Sequence, residues 1–283
     1  MTGAVSRDET SGGATAAACP PAIITDGLTR RFGLVTAVDH LNLSVAPGSI
    51  SGLVGPNGAG KSTTLKMLTT LLPPSEGSAR VAGFDVARRP REVRRRIGYV
   101  PQLLSADGGL TGYENLMVFA MLYDVPRKER KDRIWQALRM MGLEEAGAAL
   151  VKTYSGGMIR RLEIAQAVLH RPAILFMDEP TVGLDPVARR AVWEHVRELR
   201  ARFGATILLT THYMEEADDL CDVVAIMHQG KVVAAGSPAS LKAQAGEGAT
   251  LDDAFVHFTG NLMETGGAYR DAARTRRTAR RLG

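Results

Sequence analysis

The sequence predicts an α/β fold built on a mostly parallel sheet, with an N-terminal antiparallel β-subdomain and an inserted α-helical subdomain. Three observations carry this reading. Near-continuous apolar runs of strand length at 173–177, 205–211 and 223–227 alternate with helical patterns, as strands buried on both faces of a parallel sheet do. A largely apolar run at 49–54 passes through a glycine-rich loop into a helical run at 61–72, with Leu65, Met67, Leu68, Leu71 and Leu72 as its apolar positions. Residues 127–141 and 155–169 are amphipathic at helical spacing, with Ile134, Leu138, Met141, Leu162, Ile164, Ala165 and Val168 as expected core positions.

Taken in chain order, residues 1–22 are rich in Ala, Gly, Thr and Ser and carry too little apolar surface to order themselves, so a flexible lead-in is expected. Short strand-like runs follow between 22 and 45, broken by Arg30-Arg31-Phe32-Gly33 and ended by Pro47-Gly48, which points to an antiparallel sheet. After the helical run at 61–72, residues 73–77 read as a turn and 80–86 as one further strand. A charged helical piece and a short strand at 97–100 come next, and the helical subdomain is expected over about 103–165. The α/β core resumes at 173, with a helix from 187 to about 203. The main domain is placed at 23–245, and 246–283 is assigned to a C-terminal extension with a basic tail. No motif recurs at a fixed period and one P-loop occurs, so no tandem duplication is expected.

Residues 55–62 read Gly-Pro-Asn-Gly-Ala-Gly-Lys-Ser and fit the P-loop pattern of a nucleotide-binding NTPase core. The chemistry requires this spacing. Gly55, Gly58 and Gly60 lack a Cβ, so consecutive backbone N–H groups can turn toward an anion, while Lys61 and Ser62 supply an ammonium and a hydroxyl for terminal phosphate and Mg²⁺. A second cluster stands directly after the apolar run at 173–177: Asp178 can hold Mg²⁺, and Glu179 can polarise the water that attacks a γ-phosphate. Ser155-Gly156-Gly157 opens a helical pattern and offers a hydroxyl and bare N–H groups at a positive helix end, a further anion clamp.

The same chain carries Gln102 in Tyr99-Val100-Pro101-Gln102, Tyr154-Ser155-Gly156-Gly157-Met158, Gly183-Leu184-Asp185-Pro186 and His212 after Thr210-Thr211. In that order these motifs resemble the Q-loop, signature, D-loop and switch histidine of an ABC transporter ATPase subunit, over about residues 23–240. The resemblance implies that Phe32 stacks on adenine and that Gly55, Pro56, Asn57, Gly58, Ala59, Gly60, Lys61, Ser62 and Thr63 hold the phosphates. It further implies that Ser62, Gln102 and Asp178 serve Mg²⁺, that Glu179 is the catalytic base and that His212 senses the γ-phosphate. On the residues alone, Phe32 is either a stacking face beside basic residues or a partly buried core aromatic. One P-loop and one signature per chain imply a nucleotide-sandwich homodimer in which Ser155, Gly156 and Gly157 close over ATP held by the second copy.

Tyr154 and Met158 depart from the common Leu and Gln at the ends of the signature. In this the sequence resembles the daunorubicin-resistance type of drug and antibiotic exporter, as it does at 37–39, 81–85, 251–255 and Thr259-Gly260. The resemblance implies an ATPase driving a separate transmembrane permease from the cytoplasmic face of the membrane. The alternative is a soluble ABC-type ATPase acting on nucleic acid or ribosomes, and the chain lacks the long coiled coils or second ATPase unit of such proteins. An inactive regulatory module is disfavoured by the intact set of Lys61, Asp178, Glu179 and His212.

Composition fits these expectations. No stretch approaches the roughly 20 consecutive apolar residues needed to span a bilayer. Cys19 and Cys221 are the only cysteines and suggest neither a disulfide framework nor a thiolate metal site. The net charge is +5, and residues 268–283 hold six arginines against one aspartate, so the rest of the chain is near neutral. The six arginines between 88 and 96 have no interleaved aromatics to stack bases, so they read as a solvated helix face and no nucleic acid is expected. The basic tail reads as a solvated terminus or as a contact for anionic lipid or a partner.

Overall fold

The computed structural model describes residues 20–260, so residues 1–19 of the expected 1–22 lead-in and the basic tail lie outside the described residues. Two sheets organise what is described. The N-terminal sheet is antiparallel, with β1 (Ile23–Phe32) between β2 (Val35–Val45) and β4 (Glu76–Val81), and β5 (Phe84–Asp85) at the edge beside β4. Arg30, Arg31 and Phe32 do not break the strand as expected. They continue β1, and register shifts between Thr25 and Arg31 absorb the irregularity. The stretch at 80–86 is a hairpin rather than one strand, because Ala82 (φ 49°) and Gly83 (φ 81°) both take the left-handed backbone that a tight type I′ turn requires.

The second sheet has six strands. It comprises β3 (Ile50–Val54), β6 (Ile97–Val100), β7 (Ile174–Asp178), β8 (Thr206–Thr211), β9 (Val223–His228) and β10 (Lys231–Gly236), in the order β10-β9-β3-β8-β7-β6. All neighbours are parallel except β9 and β10, which pair antiparallel. Each apolar strand splits by pleat between two cores. Ile174, Phe176 and Leu208 face one core, shared with α1 (Lys61–Leu68) and the antiparallel sheet. Leu175, Met177, Ile207 and Leu209 face the other. Fully buried side chains of this size each contribute roughly 1.5–3 kcal/mol, which is why these runs show no polar alternation.

The second core is roofed by helices: α3 (Gly112–Leu122), α4 (Arg127–Met140), α5 (Gly156–Val168), α6 (Pro186–Phe203), α7 (Met214–Leu220) and α9 (Leu251–Thr259). Sequence periodicity missed α3 because its residues are apolar around much of the circumference. Its start was nevertheless written in the Thr111/Glu114 capping box, in which each side chain bonds the other residue's backbone N–H. The long α6 is delimited by chemistry visible in the sequence. Asp185 accepts from the N–H groups of Val187 and Ala188, Pro186 fills the first turn, and Gly204 ends the helix at φ 60°. The remaining α-helices among the described residues are α2 (Pro90–Arg94) and α8 (Pro238–Ala245). None of the described helices is long and apolar enough to cross a membrane.

Candidate active site

The site lies at the carboxyl ends of three adjacent strands, β3, β8 and β7, where ligands of parallel α/β sheets bind. The loop at 55–60 carries β3 into α1, and its Gly55 N–H donates to the Thr211 carbonyl at 3.3 Å. Two positions explain the glycines. A Cβ on Gly60, which sits at φ 101°, would stand 2.3 Å from the Ala37 carbonyl oxygen; one on Gly55 would stand 2.1 Å from that of Met227. The loop is therefore pressed against its neighbours at both ends, with no room for a side chain.

Lys61 begins α1 and is buried. Its ammonium donates to the carbonyls of Gly55 (2.7 Å) and Pro56 (3.0 Å) and pairs with Glu179 Oε1 at 3.2 Å. The other Glu179 oxygen lies 2.6 Å from His212 Nδ1. The neighbouring carboxylate is organised separately: Asp178 Oδ1 accepts from Ser62 Oγ at 2.9 Å and from Thr210 Oγ1 at 2.7 Å. The structure thus brings together Lys61, Ser62, Asp178, Glu179 and His212 from three places in the sequence. Nearby on β6, burial and the charge of Asp178 push the Tyr99 phenol up to about 12.

Glu179 has a left-handed backbone (φ 49°), uncommon outside glycine and concentrated at sites where surrounding contacts over-determine it. Those contacts are present. Its N–H donates to the Thr210 carbonyl (3.1 Å) and to Thr210 Oγ1 (2.9 Å). Sequence reasoning overlooked Thr210, although a polar residue at the end of a buried strand, opposite two carboxylates, was the signal available.

Other expected residues sit around this centre, and of these only Pro56 bonds to it, through the carbonyl that accepts from Lys61. Thr63 lies in the first turn of α1, while Pro56, Asn57, Gly58 and Ala59 form the loop crest. Phe32 ends β1 with 45% of its surface exposed and the Arg30 guanidinium 4.6 Å from its ring centroid, so it is a surface aromatic rather than a core one. Gln102 lies two residues beyond β6 with its side chain exposed and its carbonyl accepting from Arg160 at 2.8 Å. Ser155 caps α5 by accepting from the Met158 N–H, and Gly157 packs so closely against Ala188 of α6 that a Cβ would stand 2.9 Å from that methyl. The serine and both glycines therefore lie at the N-terminal end of α5, with Gly157 against α6.

A second buried group was not anticipated from the sequence. Arg160 donates to the Pro101 and Gln102 carbonyls and pairs with Glu163 at 3.0 Å, while Glu163 accepts from the N–H and hydroxyl of Ser105. Burial pushes the Glu163 carboxyl up and the Arg160 guanidinium down from their ordinary values. The pair fastens the Gln102 segment to the helix that Ser155 opens. An i,i+3 Arg–Glu pair on a helix otherwise reading as core was the trace it left in the sequence.

A phosphate-binding loop at the edge of a parallel sheet, with paired carboxylates, a lysine and a histidine converging on it, defines the class of nucleotide-hydrolysing P-loop ATPases. The sequence model of the ABC transporter family matches residues 38–182. The chain is 48% identical over 225 residues to the daunorubicin/doxorubicin resistance ATP-binding protein DrrA of Streptomyces peucetius, covering 80% of this chain and 68% of that one. It is 45% identical to the Nod factor export ATP-binding protein I of Paraburkholderia xenovorans (strain LB400), covering 78% and 72%. A solved ATP-binding subunit of an ABC transporter superposes with a TM-score of 0.75 at 33% identity, covering 84% of this chain and 99% of that one. The chain belongs to the ABC transporter family and is an ATP-binding, ATP-hydrolysing subunit homologous to those of drug and antibiotic resistance exporters. Action on nucleic acid or ribosomes is not favoured, since the relatives named above are resistance and export proteins.

Proposed function

We propose that this subunit powers export of a hydrophobic drug- or antibiotic-like molecule through a separate membrane permease, docked at the cytoplasmic face of the membrane, with two copies sandwiching ATP. The observation that carries the hydrolytic part is the bridging of Glu179 between Lys61 and His212. A carboxylate held by two cationic or polarisable groups is poised to orient and deprotonate water once phosphate oxygens draw Lys61 away. The backbone N–H groups of 55–63 cradle the phosphates, Phe32 offers its exposed face to the adenine, and His212 contacts the γ-phosphate.

The oxygen donors of Ser62, Gln102 and Asp178 fit Mg²⁺, which keeps several waters and takes only one or two carboxylates beside substrate phosphates. Asp178 Oδ1 already gathers two hydroxyls, as an oxygen-rich site requires. Bound Mg²⁺ would neutralise charge on the β- and γ-phosphates. The second copy supplies Ser155, Gly156 and Gly157, which stand at the start of α5 where a hydroxyl and bare N–H groups can meet an anion.

The test is Glu179→Gln in the full-length chain. ATP binding should persist and turnover should fall by about 10²-fold or more, the scale of a lost general base. Turnover within threefold of wild type would remove Glu179 from this role. Co-purification with a co-expressed permease tests the partner.

A further inference from the structure

The ladder that aligns β7 with β8 ends at the pair Asp178 and Thr210. Glu179 and His212 both lie beyond it, yet their side chains meet at 2.6 Å. Backbone bonding to β8 reaches Glu179 through its N–H but does not fix His212 beside it, so other groups must hold the two segments in register. We propose that Glu216 is a positioning residue for the Glu179–His212 pair, an inference that rests on the hydrolytic roles assigned to those two residues.

Glu216 lies on α7 and is fully buried. Its Oε1 accepts from Thr181 Oγ1 and from Trp193 Nε1, each at 2.9 Å, and its carboxylate also interacts with the Thr211 hydroxyl. Thr181 is two residues after Glu179, Thr211 immediately precedes His212, and Trp193 belongs to α6. One carboxyl group therefore joins both halves of the pair to a rigid helix. Thr211 Oγ1 in turn accepts the Tyr213 N–H at 3.0 Å, fixing the backbone on both sides of His212.

A second strut runs parallel to the first. The Tyr213 ring packs tilted at 39° against His212, with centroids 4.2 Å apart, and the Arg189 guanidinium of α6 lies 4.1 Å over Tyr213. Arg189 is within electrostatic reach of Glu216, and each keeps one buried polar atom without a partner among the described residues, Arg189 Nε and Glu216 Oε2. Burial also holds the Glu216 carboxyl above its ordinary value, which favours a neutral acceptor that glutamine can imitate.

The experiment compares Glu216→Leu with Glu216→Gln in the full-length chain, using ATP as the ligand and a Trp135→Phe background so that Trp193 alone reports. Misplacing a reacting group by 1 Å can cost about 10²-fold, so the leucine variant should lose at least about tenfold in kcat with KM for ATP within about threefold. Trp193 emission should shift in the same variant, and the glutamine variant should stay within about threefold of wild type because it keeps the acceptor oxygen. A leucine variant with unchanged kcat overturns the proposal, as does a glutamine variant as impaired as the leucine one, or a kcat loss matched by lost ATP affinity. Should the leucine variant not fold, Thr181→Val and Thr211→Val decide: loss of kcat at constant KM supports the role, and unchanged kcat in both refutes it. Glu179→Gln separates the two readings, since turnover surviving there defeats the base assignment itself rather than the role of Glu216.

Discussion

Replacing Arg160 by Met tests how far the fold depends on one buried ion pair. The guanidinium donates to the Pro101 and Gln102 carbonyls at 2.6 and 2.8 Å and pairs with Glu163 at 3.0 Å, with only 2% of its surface exposed. Methionine fills much of the volume but leaves Glu163 without its counter-charge and two carbonyls without their donor. Breaking one partner of a buried pair costs about 3–5 kcal/mol. Glu163 is already pushed up by burial, so it takes a proton more readily in the variant, which moves the cost toward the lower end. At about 2–4 °C per kcal/mol for a domain of this size, the unfolding midpoint should fall by roughly 6–20 °C. Calorimetry on the full-length chain measures it, with Arg160→Met/Glu163→Leu alongside, because an apolar pair of similar volume is often near neutral. A single variant melting within about 2 °C of wild type, or a double variant no better than the single, would refute the reasoning.

The titration of Glu216 makes a signed prediction. Its folded-state pKa is raised above 4.5, first by burial, so its stabilising contribution is complete below that pH and is lost as pH rises through the folded value. Glutamine cannot ionise, and the midpoint of Glu216→Gln relative to wild type should therefore climb as pH is raised from 4.5; a difference that is flat or falls with pH would contradict the assignment. Gly60→Ala should abolish ATP binding in an equilibrium fluorescence titration, since the methyl would stand 2.3 Å from the Ala37 carbonyl oxygen at a φ of 101°. An alanine variant that binds ATP as wild type does would mean that the loop has room to give.

What the sequence disclosed follows the range of the interactions involved. The buried strands were legible because Ile174, Leu175, Phe176 and Met177 must be apolar on both faces. The loop at 55–62 was legible because its chemistry is local. The helix α3 was hidden by apolar residues on several of its sides, and the hairpin at 80–86 by a turn with Ala rather than Asn or Asp before Gly83. Contacts between distant segments left the faintest trace. Arg160 with Gln102, and Glu216 with Thr181, Trp193 and Thr211, read in one dimension as ordinary charged positions on amphipathic helices. Only the fold shows that these charges point inward.

The strand order explains why the two carboxylates can serve one loop. Residues 178 and 179 are adjacent, and on an extended strand adjacent side chains point to opposite faces. Both nevertheless reach residues of the same loop and helix start, Asp178 touching Ser62 and Glu179 touching Lys61. The left-handed backbone at Glu179 breaks the alternation, at a strain of order 1–3 kcal/mol that neighbouring contacts must offset. They come from β8, which lies between β3 and β7 in the sheet. From that central position the Thr210 hydroxyl donates to Asp178 and accepts from the Glu179 N–H, while the Thr210 carbonyl accepts from the same N–H. A strand order that separated β8 from β7 would leave Glu179 unsupported in this conformation. The placement of both carboxylates is therefore a property of the sheet topology as much as of the Asp-Glu pair itself.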